Sequence, residues 1–148
     1  MPKSKTRQCA ALPVRFIGSM PRVLLVTSRQ TRRWIIPKGW LKKKLSPGAM
    51  AAREAFEEAG VKGRITPAPI GAYRYLKLLD DGAAVRCHVA VFLLEVTEIL
   101  SEWPEMDQRE RRWLSPADAA EMISDGGLAP LLRGLEDGMP AQGEPNRD

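Results

Sequence analysis

Two apolar runs set the frame of the chain. Val23-Leu24-Leu25-Val26 and the stretch from Val89 to Leu94 are continuous rather than alternating, as in strands covered on both faces. Around them the pattern predicts further strands over 8–17 and 22–27, a turn over 28–31 and a strand over 32–36. A helix follows, with Ser46 as N-cap, Pro47 at the first helical position and Gly60 just past the end. Phe56 and Val61 are spaced as the apolar pair that closes a glycine-terminated helix. Ala52, Ala55, Phe56 and Ala59 form a slim apolar stripe suited to close packing. Beyond Gly60 the pattern returns to strands over 64–70, 72–79 and 83–96, with Asp81-Gly82 as a hairpin turn. A two-residue turn there would set Lys77 opposite Arg86 and Tyr75 opposite His88. A short strand over 111–114 leads to Ser115 and Pro116, the cap and first position of a helix running to about Ser124. Asp125-Gly126-Gly127 stops it, and residues 128–135 are helical again. Residues 1–7 read as a basic, flexible lead-in and 137–148 as a flexible tail.

Composition narrows the class. A chain of 148 residues with 44% apolar content suits one domain with a real core. Two cysteines, Cys9 and Cys87, give neither a disulfide framework nor a metal spacing, which points to a reducing compartment, and the expected location is the cytoplasm. No apolar run is long enough to span a bilayer, so no membrane partner is expected. The net charge of +5 and a pI near 9.5 favour anionic ligands such as polyphosphates, nucleotides or RNA, without choosing among them.

The helix carries the candidate chemistry. Glu54, Glu57 and Glu58 stand at i, i+3 and i+4, so their carboxylates converge on the face away from the apolar stripe. Arg53 offsets one of them through its i, i+4 partner Glu57. Oxygen ligands from a few carboxylates, with waters retained, suit Mg²⁺; taken alone, such a cluster is more often a solvated acidic face. The loop ahead of the helix changes that balance, because Pro37-Lys38-Gly39 brings backbone and charge to its start. Arg29, Arg32 and Arg33, near the tip of the preceding hairpin, are candidate phosphate contacts with Lys38. Lys42-Lys43-Lys44 is either a solvated loop or a lure for a polyanion. Lys77 and Arg86, if opposite each other, make a second cationic wall, so Arg86 joins the substrate-binding candidates. His88, the single histidine, reads first as structural. In the acidic loop of residues 102–110, Glu102, Glu105 and Glu110 are unranked candidates for a further ligand or base.

Gly39 and Arg53-Glu54-Ala55-Phe56-Glu57-Glu58-Ala59-Gly60-Val61 resemble the Nudix box, G-x5-E-x7-R-E-U-x-E-E-x-G-U, over residues 39–61. One position departs: the glutamate six residues after Gly39 is Leu45 here, which bears on the support of the loop. The resemblance implies an α/β domain over residues 8–136 with a layered α/β/α arrangement around a mixed central sheet. It implies Mg²⁺ or Mn²⁺ on Glu54, Glu57, Glu58 and the Gly39 carbonyl, with Glu54 and Glu57 as catalytic candidates and Glu54 the first choice of base. The implied reaction is hydrolysis of a diphosphate linkage in an anionic small molecule. Trp34-Ile35-Ile36-Pro37-Lys38-Gly39-Trp40 looks most like the branch acting on dinucleoside polyphosphates and diphosphoinositol polyphosphates. An RNA 5′-pyrophosphohydrolase is a less favoured use of the same site, and a non-catalytic phosphate-binding module is the alternative of another class.

Overall fold

The structure is a computed structural model that describes residues 6–136. Residues 1–5 of the expected lead-in, and the whole expected tail, lie outside the described residues. At the centre, β1 (Arg7–Ile17) runs parallel to β7 (Ala84–Ile99), in register from Arg7 opposite His88 to Val14 opposite Glu95. All other neighbours are antiparallel. β2 (Met20–Thr27) pairs with the end of β1, and β4 (Lys38–Trp40) pairs with its beginning. β3 (Trp34–Ile35) and β8 (Arg111–Leu114) pair with β2; β5 (Val61–Ile65) and β6 (Gly71–Leu78) pair with opposite ends of β7.

The two faces of this mixed sheet explain the unbroken apolar runs. Ala10, Leu12 and Val14 join Leu25, Val91 and Leu93 in one layer, covered by α2 (Pro116–Met122) and α3 (Ala129–Leu135). Cys9 and Ala11 join Leu24, Val26, Phe92 and Leu94 in the other, covered by α1 (Pro47–Glu54) and the turn that continues it. Successive strand side chains alternate between faces, so a strand with helices on both sides needs apolar residues at every position. No helix among the described residues is long and apolar enough to cross a membrane.

Several elements depart from the sequence expectation. The strand expected over 32–36 shrinks to β3, because Arg32 takes a left-handed backbone (φ 55) and Ser28 closes the turn through Arg33 N–H (2.9 Å). Residues 38–40, expected as a loop, form β4. The stripe that α1 buries is Met50, Ala51, Ala55 and Ala59; Ala52 and Phe56 are only half-buried, and the Lys62 ammonium lies 5.1 Å from the Phe56 ring centroid. The β6–β7 hairpin closes around a three-residue loop, Asp80-Asp81-Gly82, between Leu79 N–H and the Ala83 carbonyl (2.8 Å), with Gly82 at φ 87. Its register sets Lys77 opposite Val85, Leu76 opposite Arg86 and Arg74 opposite His88. The expected Lys77–Arg86 wall therefore does not form. Arg86 falls on the α1 face, exposed, and Lys77 on the other. One extra loop residue moved every side chain on one strand across the sheet relative to its partner.

Gly60 ends the helical segment at φ 69, and a side chain there would collide with Trp103 and Arg111. Gly60→Ala should lower stability by roughly 2–4 kcal/mol, from the left-handed backbone and the lost contacts. Urea unfolding measures it.

Candidate active site

Gly39 pairs with Cys9 on the α1 side of the sheet. Its Cα lies so close to Glu54 that any Cβ would overlap that carboxylate. Glu54 is the last residue of α1, and Ala55–Ala59 continues it as a π-helical turn in which Gly60 N–H reaches the carbonyls of Ala55 and Phe56. In this wider turn the hydrogen-bonded ring holds an extra residue, so side chains three apart no longer stack. Glu54 and Glu58 meet, and each carboxyl acts on the proton affinity of the other. Glu57 turns aside and accepts from Arg53 Nε at 3.2 Å. The expected convergence of three carboxylates is thus a convergence of two. Among the described residues no group of three or more His, Cys, Asp or Glu side chains is arranged to hold a metal ion.

Glu58 is the buried member, 6% exposed. The Lys38 backbone N–H donates to its Oε1 at 3.4 Å, and Arg109 approaches its Oε2 at 3.7 Å. Arg109 is shared: its Nε donates to Glu105 at 2.7 Å and its NH1 to the Thr27 carbonyl at 3.0 Å. Burial pushes the Glu58 carboxyl up to about 8; Arg109 pulls against that, and the contact with Glu54 adds to the rise. Glu54 is raised as well, first by its own burial, while the hydrogen bond with Glu58 opposes the shift. Burial and the neighbouring Glu54 thus favour the protonated form of Glu58. Two crowded carboxyls whose one counter-charge is an arginine shared with Glu105, beside a backbone that only glycine lets approach, fit a hard divalent cation.

The loop after β7 fixes the turn from its carbonyl end. Glu105 N–H donates to the Glu57 carbonyl (3.1 Å) and the Trp103 indole N–H to the Glu58 carbonyl (3.2 Å). Arg111 NH1 takes the Ala59 carbonyl (2.9 Å), and its guanidinium stacks on Trp103 at 3.8 Å. These donors satisfy carbonyls that every helix end leaves open. Leu45, in the place of the usual glutamate, is half-buried against the α1-side core, so apolar packing anchors the loop here.

The cations scatter more than expected. Arg29 and Arg32 both reach the acidic loop, Arg29 to the Gln108 side chain (3.2 Å) and Arg32 to the Gln108 carbonyl (2.9 Å) and Glu110 (3.3 Å). Arg33 bonds the Thr31 hydroxyl (3.1 Å). The Lys38 side chain points to the α2 side, 4.0 Å from Asp125 and over the Tyr75 ring at 5.0 Å. The Lys38 backbone N–H bonds Glu58, while the ammonium acts on that carboxyl only through space. Of the loop glutamates, Glu105 reaches the site through Arg109, Glu110 pairs with Arg32, and Glu102 is exposed. Sequence reasoning missed Arg109 and the π-helical turn. An arginine enclosed by acids in residues 102–110 was the available signal for the first; nothing in the sequence marks the second. A cavity of about 610 Å³ opens on the α1 face near the start of the helix, with Cys9, Leu41, Pro47, Ala90 and Phe92 in its wall and Arg7, Arg74 and His88 around it; none of the three glutamates lines it.

A raised carboxyl binds more protons in the folded than in the unfolded chain between the ordinary carboxylate range and about pH 8. The metal-free protein should lose stability as pH rises from 5 to 8, by an amount on the order of a few kcal/mol. Glu58→Gln should flatten that slope. Urea unfolding across this pH range in EDTA measures both.

Comparison with known proteins follows the same residues. A family profile described as NUDIX domain matches residues 8–134. The chain is 35% identical over 131 residues to "Nudix hydrolase 12, mitochondrial" of Arabidopsis thaliana, covering 84% of this chain and 64% of that protein. It is 31% identical over 124 residues to human "Diphosphoinositol polyphosphate phosphohydrolase 3-alpha", covering 82% and 71%. It thus spans somewhat under two thirds of the plant relative. The fold is shared with a C. elegans Ap4A hydrolase (TM-score 0.66, 18% identity, 89% of this chain and 96% of that one). It is shared also with the E. coli dihydroneopterin triphosphate pyrophosphohydrolase (TM-score 0.69, 13% identity, 92% and 98%). The box around the buried glutamate pair, the sheet that carries it and the match over nearly its whole length agree: the chain belongs to the Nudix hydrolase family.

Proposed function

We propose that the protein hydrolyses a diphosphate linkage in a small polyanion, with a dinucleoside polyphosphate or a diphosphoinositol polyphosphate as substrate and Mg²⁺ or Mn²⁺ as cofactor. The observation that carries the reading is the pair Glu54 and Glu58, with Glu54 pressed against the Gly39 backbone; a cavity bordered by Arg7 and Arg74 lies on the same face of the sheet. Relatives named as a diphosphoinositol polyphosphate phosphohydrolase and an Ap4A hydrolase support the substrate class. A reducing compartment suits Cys9 and Cys87, both buried and free, and the cytoplasm is the proposed location, although one relative carries "mitochondrial" in its name.

Each residue has a part. Glu54, Glu58 and the Gly39 carbonyl would hold the cation. Glu57 joins them once it leaves Arg53, an exposed pair whose loss costs only about 0–1 kcal/mol. When bound, the ion neutralises phosphate charge and sharpens the attacking water. Glu54 would take the proton of the attacking water, and burial raises its affinity for protons. Glu105 is a weaker candidate base because Arg109 holds it at 2.7 Å. Arg7, Arg74 and His88 at the cavity, and Arg86 on the same face, bind the remaining phosphates. Arg29, Arg32 and Arg33 reach substrate only by exchanging the acidic loop or Thr31 for it. Lys38 acts through its backbone.

A panel with Mg²⁺ or Mn²⁺ tests this: a diadenosine polyphosphate, a diphosphoinositol polyphosphate, ADP-ribose, NADH and a 5′-triphosphorylated RNA, read by product chromatography. One of the first two should be cleaved, EDTA should abolish the reaction, and Glu58→Gln should reduce it at least on the order of 100-fold. Preferential cleavage of the RNA would replace the substrate assignment. Metal-independent binding without product from any of them would favour a binding module.

A further inference from the structure

Arg15 on β1 and Arg22 on β2 are direct cross-strand partners. Arg15 shares its face with Cys9 and Ala11, and Arg22 with Leu24 and Val26, so both emerge on the α1 side. Like charges directly opposite, with Cβ atoms about 5 Å apart, repel. Several of the other described arginines have acids or carbonyls: Arg32 has Glu110, Arg64 has Glu95, Arg133 has Glu121, and Arg109 and Arg111 have more than one. Among the described residues no carboxylate lies within ion-pair distance of Arg15 or Arg22. Arg22 reaches only the carbonyl of its neighbour Pro21, at 3.2 Å. Arg15 lies over the Trp113 ring at 4.5 Å, and its Nε is the one buried side-chain polar atom among the described residues without a hydrogen-bond partner.

The geometry points to a second oxyanion site, in which Arg15 and Arg22 together clasp one phosphate group. Stacking on Trp113 fixes one guanidinium plane before the ligand arrives, and a planar fork of donors matches phosphate oxygens. A doubly charged phosphate removes the repulsion that the pair otherwise carries. The site is separate from the acidic turn. Arg15 is six residues along β1 from Cys9, the partner of Gly39, roughly 20 Å, and the acids of the turn pair with Arg53 and Arg109, not with Arg15 or Arg22. The phosphate is either that of a soluble polyphosphate or that of a lipid headgroup. The second source has its own support, because Phe16 (44%), Ile17 (55%) and Met20 (53%) stand exposed at the adjoining hairpin tip.

Thermal unfolding in EDTA tests the site, with inorganic tripolyphosphate replacing chloride at constant ionic strength. At about ten times its dissociation constant it should raise the wild-type midpoint by about 3 °C more than that of Arg15→Gln/Arg22→Gln. Arg22→Gln alone, which leaves the Trp113 stack intact, should also lose most of the shift and serves if the double variant does not fold. Diadenosine polyphosphate hydrolysis by these variants should match wild type. A second arm sediments the protein with phosphatidylcholine vesicles containing phosphatidic acid. Loss of vesicle binding in the variants names a headgroup as the source; loss of the tripolyphosphate shift alone names a soluble phosphate. Equal shifts and equal vesicle binding in wild type and variants would overturn the site.

Discussion

Two carboxylates, Glu54 and Glu58, are held together where little water reaches them, and much of the surrounding structure is the means of holding them. Their mutual repulsion and burial would ordinarily drive such groups apart or into solvent. Here the proton on Glu58 removes one charge, Arg109 offsets part of another, and the Lys38 N–H supplies a hydrogen bond. The arrangement is costly as it stands, and the cation proposed for the site would take the place of that proton and relieve the penalty.

The fold supplies this tension from three sides. The sheet delivers Gly39 on β4, a three-residue strand paired with β1. Small residues on α1, Ala51, Ala55 and Ala59, let the helix lie close on the sheet and bring Glu54 against that glycine. The loop after β7, through Trp103 and Glu105, and Arg111 at the start of β8 grip the far end of the helix by its carbonyls. Arg109 of the same loop enters the acid pair. Loop, helix and strand are therefore one unit, and a shift in any of them moves the carboxylates.

The parts of this unit that were legible in the sequence are those governed by local chemistry. Ser46, Pro47 and Gly60 bounded the helix correctly because caps depend on a few adjacent residues, and Ser46 accepts from Ala49 N–H as a cap should. The runs at Val23 and Val89 announced two-sided burial. The Nudix box named the acids. What was hidden depends on distant partners. No local signal tells a π-helical turn from an α-helical one, yet it decides that Glu57 faces Arg53 while Glu58 faces Glu54. The hairpin register hung on one residue of loop length, which carried Arg86 away from Lys77. Arg29 and Arg32 looked like free phosphate contacts because their partners, Gln108 and Glu110, lie more than seventy residues along the chain.

The most direct test of this account is a count of protons. Isothermal titration of the protein with Mg²⁺ at pH 7, in two buffers of different ionisation enthalpy, gives both the binding and the protons released with it. The account predicts saturable binding with about one proton released per ion, as Glu58 gives up its proton to become a ligand. Binding without proton release would mean that the ion sits elsewhere, and no binding would remove the metal from the site altogether.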